Sequence, residues 1–393
     1  MNKLTVTTGI SYILICLIQG CQSAPEPKDI AIESIPKTTA KSITTLSEKS
    51  VNPENTLRWQ DFFKDLPDRD ARTKLKSQLA RLESKKDLPP EELLKKARNL
   101  KATGQIEKAL STYQELIRRF ESQFDAIIET AQIFISRADL DRAYEYLVDA
   151  QVIIDRSSHF PKVDRIKYKY TLALAKLHGQ KVKEARRMLS DIIAAQSDFV
   201  LAYQALAYSY LREQKYDLAE FVANRGIERS DDHAPLYNVV GIVNEKSGLI
   251  SKAKQYYEKA LEKNPELVSA LVNRASLSLR NAEYEAAERD LNQAVAKDPN
   301  FVNAYVTLGV LFHKTGRYTS AKNWFLKALE LNPESSFARY NLASLYANQF
   351  SDRNKALQLY YEVLQSQDKT EEIEELARIQ IQGLRDSRLS LND

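Results

Sequence analysis

The side chains that could do chemistry here are four histidines, two cysteines and a large pool of carboxylates. His159, His178, His233 and His313 share no metal-ligand spacing and have no neighbouring ligand pair, so no zinc-type site is expected. Cys16 and Cys21 both lie near the N-terminus, so no disulfide or thiolate site can form beyond them. No Gly-rich phosphate loop, nucleophile elbow or zincin signature occurs. With 53 Asp and Glu in 393 residues, paired acids carry no meaning without geometry. The expectation is a protein that is not an enzyme and holds no cofactor and no metal. A net charge of +4 spread along the chain falls well short of a nucleic-acid footprint, so no nucleic-acid partner is expected.

The elements that would position any site are helical. Ten Gly and twelve Pro are few for this length and argue against a β-rich fold. At 43% hydrophobic and 28% charged the chain can bury a core. At its start, Lys3 precedes an apolar stretch from Ile10 to Ile18, too short to span a bilayer comfortably but suited to a signal-peptide core. It runs into Leu17-Ile18-Gln19-Gly20-Cys21, which resembles the bacterial lipobox. That resemblance implies cleavage after Gly20, a diacylglycerol on Cys21 and acylation of the new N-terminus, enough for stable anchoring. Gln22, where inner-membrane retention would use Asp, resembles the outer-membrane sorting signal and implies a periplasm-facing lipoprotein there. A plain signal peptide or an N-terminal anchor helix is the alternative. Residues 1–20 are thus read as the signal peptide and 21–55 as a disordered tether rich in Ser, Thr, Pro, Lys and Glu. Such a tether reaches roughly 30–35 Å root-mean-square.

Residues 56–89 read as N-terminal capping helices, first a short one with Trp59, Phe62 and Phe63, then a longer one with Leu75, Leu79 and Leu82. From Pro90 the chain repeats every 34 residues, with units starting at Pro90, Phe124, Ile166, Val200, Ala234, Val268, Val302 and Ser336. The twentieth position is alanine in seven units (Ala109, Ala143, Ala185, Ala219, Ala253, Ala287, Ala321), and in the last Ala356 comes one residue late. The eighth is equally small: Ala97, Ala131, Ala173, Ala207, Gly241, Ala275, Gly309 and Ala343. Two helices per unit, crossing at those two places, would require small residues there. Position twenty-four is mostly large, with Ala223 the exception. Residues 158–165 are an insertion between the second and third units, and Pro161 in it predicts a kink between a two-unit and a six-unit block. Residues 370–393 read as a capping helix and tail, as repeat arrays need to cover a terminal face.

An aromatic residue at position four (Tyr203, Tyr237, Tyr305), Leu308-Gly309 at seven and eight, Ala260, Ala294 and Ala328 at twenty-seven, and proline at thirty-two resemble the tetratricopeptide repeat. The resemblance implies an all-α, right-handed superhelical solenoid of eight helix pairs, two over residues 90–157 and six over 166–369. It also implies that first helices line a concave groove that binds other proteins. The groove residues would be Gln204, Asn238, Val272, Val306 and Tyr340 at position five, with Asn273 and Asn341 at six. Position nine would add Tyr208, Ile242, Ser276 and Val310, and position thirteen a basic row of Arg212, Lys246, Arg280 and Lys314. An apolar wall with amides and a cationic rim would suit an extended or helical segment with apolar anchors and acidic groups. With the lipobox, the resemblance implies an outer-membrane scaffold for assembly of a pilus, secretion channel or outer-membrane complex. The alternative is an adaptor that recruits cell-wall hydrolases or synthases.

Overall fold

A computed structural model describes residues 69–83, 87–120, 123–366 and 368–389. The expected signal peptide, lipidation site, tether and short aromatic helix lie outside the described residues. Within them the chain is α-helix and turn throughout. The capping helix α1 (Arg69–Glu83) is followed by eight pairs. These are α2/α3 (Pro90–Ala102, Ile106–Arg119), α4/α5 (Phe124–Ser136, Leu140–Arg156), α6/α7 (Lys162–His178, Val182–Ala195) and α8/α9 (Val200–Arg212, Tyr216–Arg229). Then come α10/α11 (Ala234–Lys246, Ile250–Lys263), α12/α13 (Val268–Arg280, Tyr284–Lys297), α14/α15 (Val302–Lys314, Tyr318–Leu331) and α16/α17 (Ser336–Asn348, Arg353–Gln365). The terminal helix α18 (Glu371–Leu389) packs on α17 and α16.

Each pair packs internally, each second helix packs on the next first helix, and first helices of successive units from α4 to α16 also touch. The small residues sit where that packing demands them. All eight alanines of the position-twenty row, Ala356 included, are fully buried. Ala321→Leu should therefore overpack a crossing and cost about 1–3 kcal/mol. Urea unfolding followed by helicity tests this, and an unmoved midpoint would mean that the pair does not cross at Ala321.

The turn inside each pair has one geometry. Position fifteen is left-handed in every unit, at Gly104, Ala138, Gln180, Gln214, Gly248, Ala282, Gly316 and, one residue late, Ser351. In the first seven units the following N–H donates back to the carbonyl five residues earlier, as from Arg317 to Phe312 (2.8 Å), which closes the first helix. The late turn in the last unit matches the late Ala356.

At position twenty-four two of the rings lie on a glycine at position eight, while Tyr113 and Tyr360 belong to units with Ala97 and Ala343. Leu147, Leu189 and Leu291 face units with Ala131, Ala173 and Ala275. Tyr257 and Phe325 belong to units with Gly241 and Gly309, where an added Cβ would lie 2.5 Å and 2.3 Å from the ring. In the unit with Ala223, closeness comes from Gly226 instead, onto which Tyr203 and Leu236 press.

The insertion is built into the first helix of the third unit. Its residues Lys162–Arg165 form the first turn of α6, and Pro161 precedes that turn, where a missing N–H costs nothing. Phe160 folds back edge-on against Phe124, with ring centroids 4.9 Å apart. One apolar core runs through the segment, from Leu79 in α1 to Tyr257 and Leu277. The core divides further along, where a second cluster takes over through Ile381. At that junction polar bridges join the first helices: Asn273 donates to Asn238 (3.0 Å), Asn238 to Ser269 (3.4 Å), and Arg280 pairs with Glu245.

Both ends of the array are covered. Leu79 and Leu82 of α1 are buried at one end, and Ile373, Ala377 and Ile381 of α18 at the other. The Thr370 hydroxyl accepts the Ile373 N–H (3.3 Å), which starts α18 as its sequence predicts.

Candidate partner-binding surface

The expected groove wall is closed. Gln204, Tyr208, Asn238, Ile242, Val272, Ser276, Val306, Val310, Tyr340 and Asn341 are all buried, none more than 5% exposed. First helices of successive units touch, so these side chains fill the space between helices instead of facing a channel. Their polar atoms turn inward. His233 Nε2 and Gln204 Oε1 lie 2.7 Å apart, and Asn341 donates to the Phe337 carbonyl (2.8 Å). Tyr340 sits edge-on to Tyr360 at 5.4 Å, and burial pushes its hydroxyl pKa up to about 12. The apolar anchoring surface read from the sequence is therefore not available to a partner in this arrangement.

Solvent reaches the cationic row. Arg212, Arg280 and Lys314 are exposed, and Lys246 and Asn273 are partly so. Each of the four cations ends its first helix, where a positive side chain also complements the helix dipole. Arg280 pairs with the buried carboxylate of Glu245, which accepts the Tyr257 hydroxyl as well (2.5 Å). Glu245 thus ties a second helix to the first helix of the next unit. Burial depresses the Arg212 guanidinium below its usual value.

His178 occupies position thirteen of the third unit and belongs to the same row, which the repeat frame could have revealed. Burial, with Arg212 nearby, pushes its imidazole down to about 4, so it is neutral at pH 7. Burial and the adjacent Lys314 also lower His313.

Two further features were not legible. On the first three units a chain of ion pairs links successive first helices. Arg98 reaches Asp125 (2.9 Å) and Glu129 (2.6 Å), and Lys167 reaches Asp125 (3.0 Å) and Asp164 (2.9 Å). Together, Lys167 and Arg98 hold the Asp125 carboxylate below its usual range, outweighing its partial burial. On the outer face of the fourth unit, Leu218 and Phe221 are 46% and 59% exposed. Among the described residues no group of three or more His, Cys, Asp or Glu is placed to hold a metal ion.

The family model of the tetratricopeptide repeat matches residues 93–122, 244–300 and 272–336. Among curated proteins none matches the chain. Of solved structures, the Cut9–Hcn1 hetero-tetramer of the APC/C is similar at a TM-score of 0.58 and 17% identity, over 77% of this chain. This chain spans only 58% of that one, and the likeness is one of fold. A tetratricopeptide repeat protein from Parabacteroides merdae has a TM-score of 0.48 and 18% identity, over 65% of this chain and 98% of its own. PilW, a type IV pilus biogenesis factor, has a TM-score of 0.45 and 19% identity, over 55% and 99%. Tetratricopeptide repeats are thus matched in the first unit and from the fifth to the start of the eighth, within an array of eight stacked helix pairs.

Proposed function

We propose that the protein is a scaffold for protein–protein interaction, held at the bacterial outer membrane by a lipid on Cys21 and facing the periplasm. It would hold envelope proteins together during assembly of a pilus, secretion channel or outer-membrane complex, and catalyse no reaction itself. One observation carries the reading: the lipobox-like Leu17–Cys21 stands ahead of a long array of tetratricopeptide repeats. None of the described helices is long and apolar enough to cross a membrane.

The mechanism is binding plus placement. An array covered at both ends leaves its flanks for partners. A lipid anchor keeps those flanks close to the membrane and raises the effective concentration of any partner residing there.

Cys21→Ser should move most of the protein from the membrane fraction to the soluble fraction in cell fractionation. Undiminished membrane retention would replace the lipid anchor with an anchor helix. Photo-crosslinking in whole cells from Arg212, Phe221 and Lys314, with identification of the trapped proteins, tests the scaffold. Crosslinks to pilus, secretion or outer-membrane assembly components support it, and crosslinks to cell-wall hydrolases or synthases would make the protein a recruiting adaptor.

A further inference from the structure

The outer side of the second to fourth units carries an exposed apolar pair at each flank. On α5, Ala143, Leu147, Ala150 and Ile154 face inward, and Val148 and Val152 stand 61% and 40% exposed on the opposite side. On α9, Leu218 and Phe221 are exposed in the same way. Between these helices lies α7, whose outer side offers Arg187 and Asp191, four residues apart on one face, with the small Ser190 and Ala194. We propose that this face binds a second copy of the chain, about a two-fold axis through the middle of α7.

The repeat register makes the face complementary to itself. The three second helices start at the same repeat position, at Leu140, Val182 and Tyr216. Glu145 therefore stands level with Arg187, and Arg225 level with Asp191. A two-fold axis between Arg187 and Asp191 exchanges those two levels, and it exchanges α5 with α9. Arg187 then meets Asp191 of the second copy, and Glu145 meets its Arg225. Val152 lies one turn beyond the Asp191 level and Leu218 one turn short of the Arg187 level, so they meet as well. Val148 and Phe221 come beside each other between them. Further out, Asp141 meets Arg229. All these side chains are exposed. Each contact occurs twice, as an isologous interface requires.

The charges set the register and the apolar contacts supply the affinity. Arg225 already pairs with Glu228 on its own helix (2.9 Å) and lies over the Phe221 ring (5.7 Å). That exposed pair contributes little to stability, so re-pairing across the axis costs little and gains mainly in specificity. Three helices about 21 Å long and about 10 Å apart present roughly 500–600 Å² per copy. Two copies together bury roughly 1,000–1,200 Å², the lower end for a specific interface, which suits a dimer that forms at micromolar concentration.

The test uses the purified full-length chain in detergent, followed by sedimentation equilibrium across micromolar concentrations. The parent should pass from monomer to dimer over that range. Phe221→Asp should raise the dissociation constant by about tenfold or more, since the ring is lost from both ends of the interface. Leu326→Asp, at an exposed apolar residue of α15, should leave it unchanged. Glu145→Arg and Arg225→Glu should each weaken the dimer by about tenfold, and the two together should restore it, because the exchanged charges again attract across the axis. Should Phe221→Asp lose helicity, Phe221→Ser replaces it.

A second measurement reads the register without changing any charge. Within one chain Val152 and Leu218 lie two second helices apart and out of disulfide reach. Val152→Cys with Leu218→Cys in the same chain should therefore give a disulfide-linked dimer on mild oxidation. Either one alone should link no more than the parent, which carries only Cys16 and Cys21. A chain that stays monomeric, or equal loss from Phe221→Asp and Leu326→Asp, would overturn the proposal. So would single-cysteine variants that link as readily as the double one, or a double charge exchange no tighter than the single ones.

Discussion

Gly309→Ala should destabilise the array, although alanine is the better helix former. Gly309 lies in the middle of α14, where the exchange alone would favour the helix by about 1 kcal/mol. The new methyl, however, would sit 2.3 Å from Cε1 and 2.5 Å from Cδ1 of Phe325. Phe325 is 1% exposed, so its ring cannot swing aside without moving its neighbours. Overpacking of this kind costs about 1–3 kcal/mol and should outweigh the propensity gain. Gly241→Ala should behave alike against Tyr257, where the contact is 2.5 Å. Phe325→Leu placed on Gly309→Ala recreates the Ala275–Leu291 pairing and should recover much of the loss, giving a coupling well above additivity. Gly316 provides the contrast. Its φ of +74° makes any side chain strained, but nothing stands within 4 Å of an added Cβ. Gly316→Ala should cost only about 1 kcal/mol, and five other units already place a non-glycine residue there. Urea unfolding of the four variants, followed by helicity, decides the matter. A Gly309→Ala array at least as stable as the parent would show that the ring does not pack against that backbone.

Acidification should weaken the fold well before the carboxylates titrate, and His178 should be the main reason. Its imidazole is held at about 4 by burial, with Arg212 adding repulsion, against an ordinary value of 6.5. At pH 7 it is neutral whether the chain is folded or not, and the stability is fully present. As pH falls through 6.5 the unfolded chain gains a proton that the folded one refuses, and stability drops until about pH 4. A gap of about 2.5 pH units corresponds to about 3 kcal/mol at most. His313 is lowered in the same direction and adds to the slope. The depressed carboxylates act later. Asp125, Glu184 and Glu213 start from ordinary values of 3.8 to 4.5, and their stabilisation is lost only as pH falls below that range. The window from pH 6.5 to 4.5 therefore belongs to the histidines. His178→Gln should flatten the fall of the urea midpoint across that window, leaving the smaller part due to His313. A parallel curve for the variant would assign the acid sensitivity elsewhere.

The 34-residue frame, the pairing of helices and the sites of their crossings were legible in the sequence. Each is imposed within one unit, where two helices can approach only if Ala321 or its equivalents are small, so the requirement recurs every repeat and shows as a column of alanines. The matching of Phe325 to Gly309 was also written there. It is not a rule across the units, since Tyr113 and Tyr360 occur with Ala97 and Ala343, and it becomes visible only once the ring is seen lying on the glycine. Pro161 suggested a break because proline limits the residue before it. In the fold it stands at a helix start, where that limit is harmless, and Phe160 packs edge-on against Phe124.

What the sequence could not decide is which face stays open. Whether Tyr208, Ile242 and Val310 look into a channel or into the neighbouring helix depends on how each unit is rotated on the last. That rotation is small and set by contacts between units, and it accumulates along the array. Only the tertiary structure decides it, and here Tyr208, Ile242 and Val310 are buried while Arg212, Arg280 and Lys314 reach solvent.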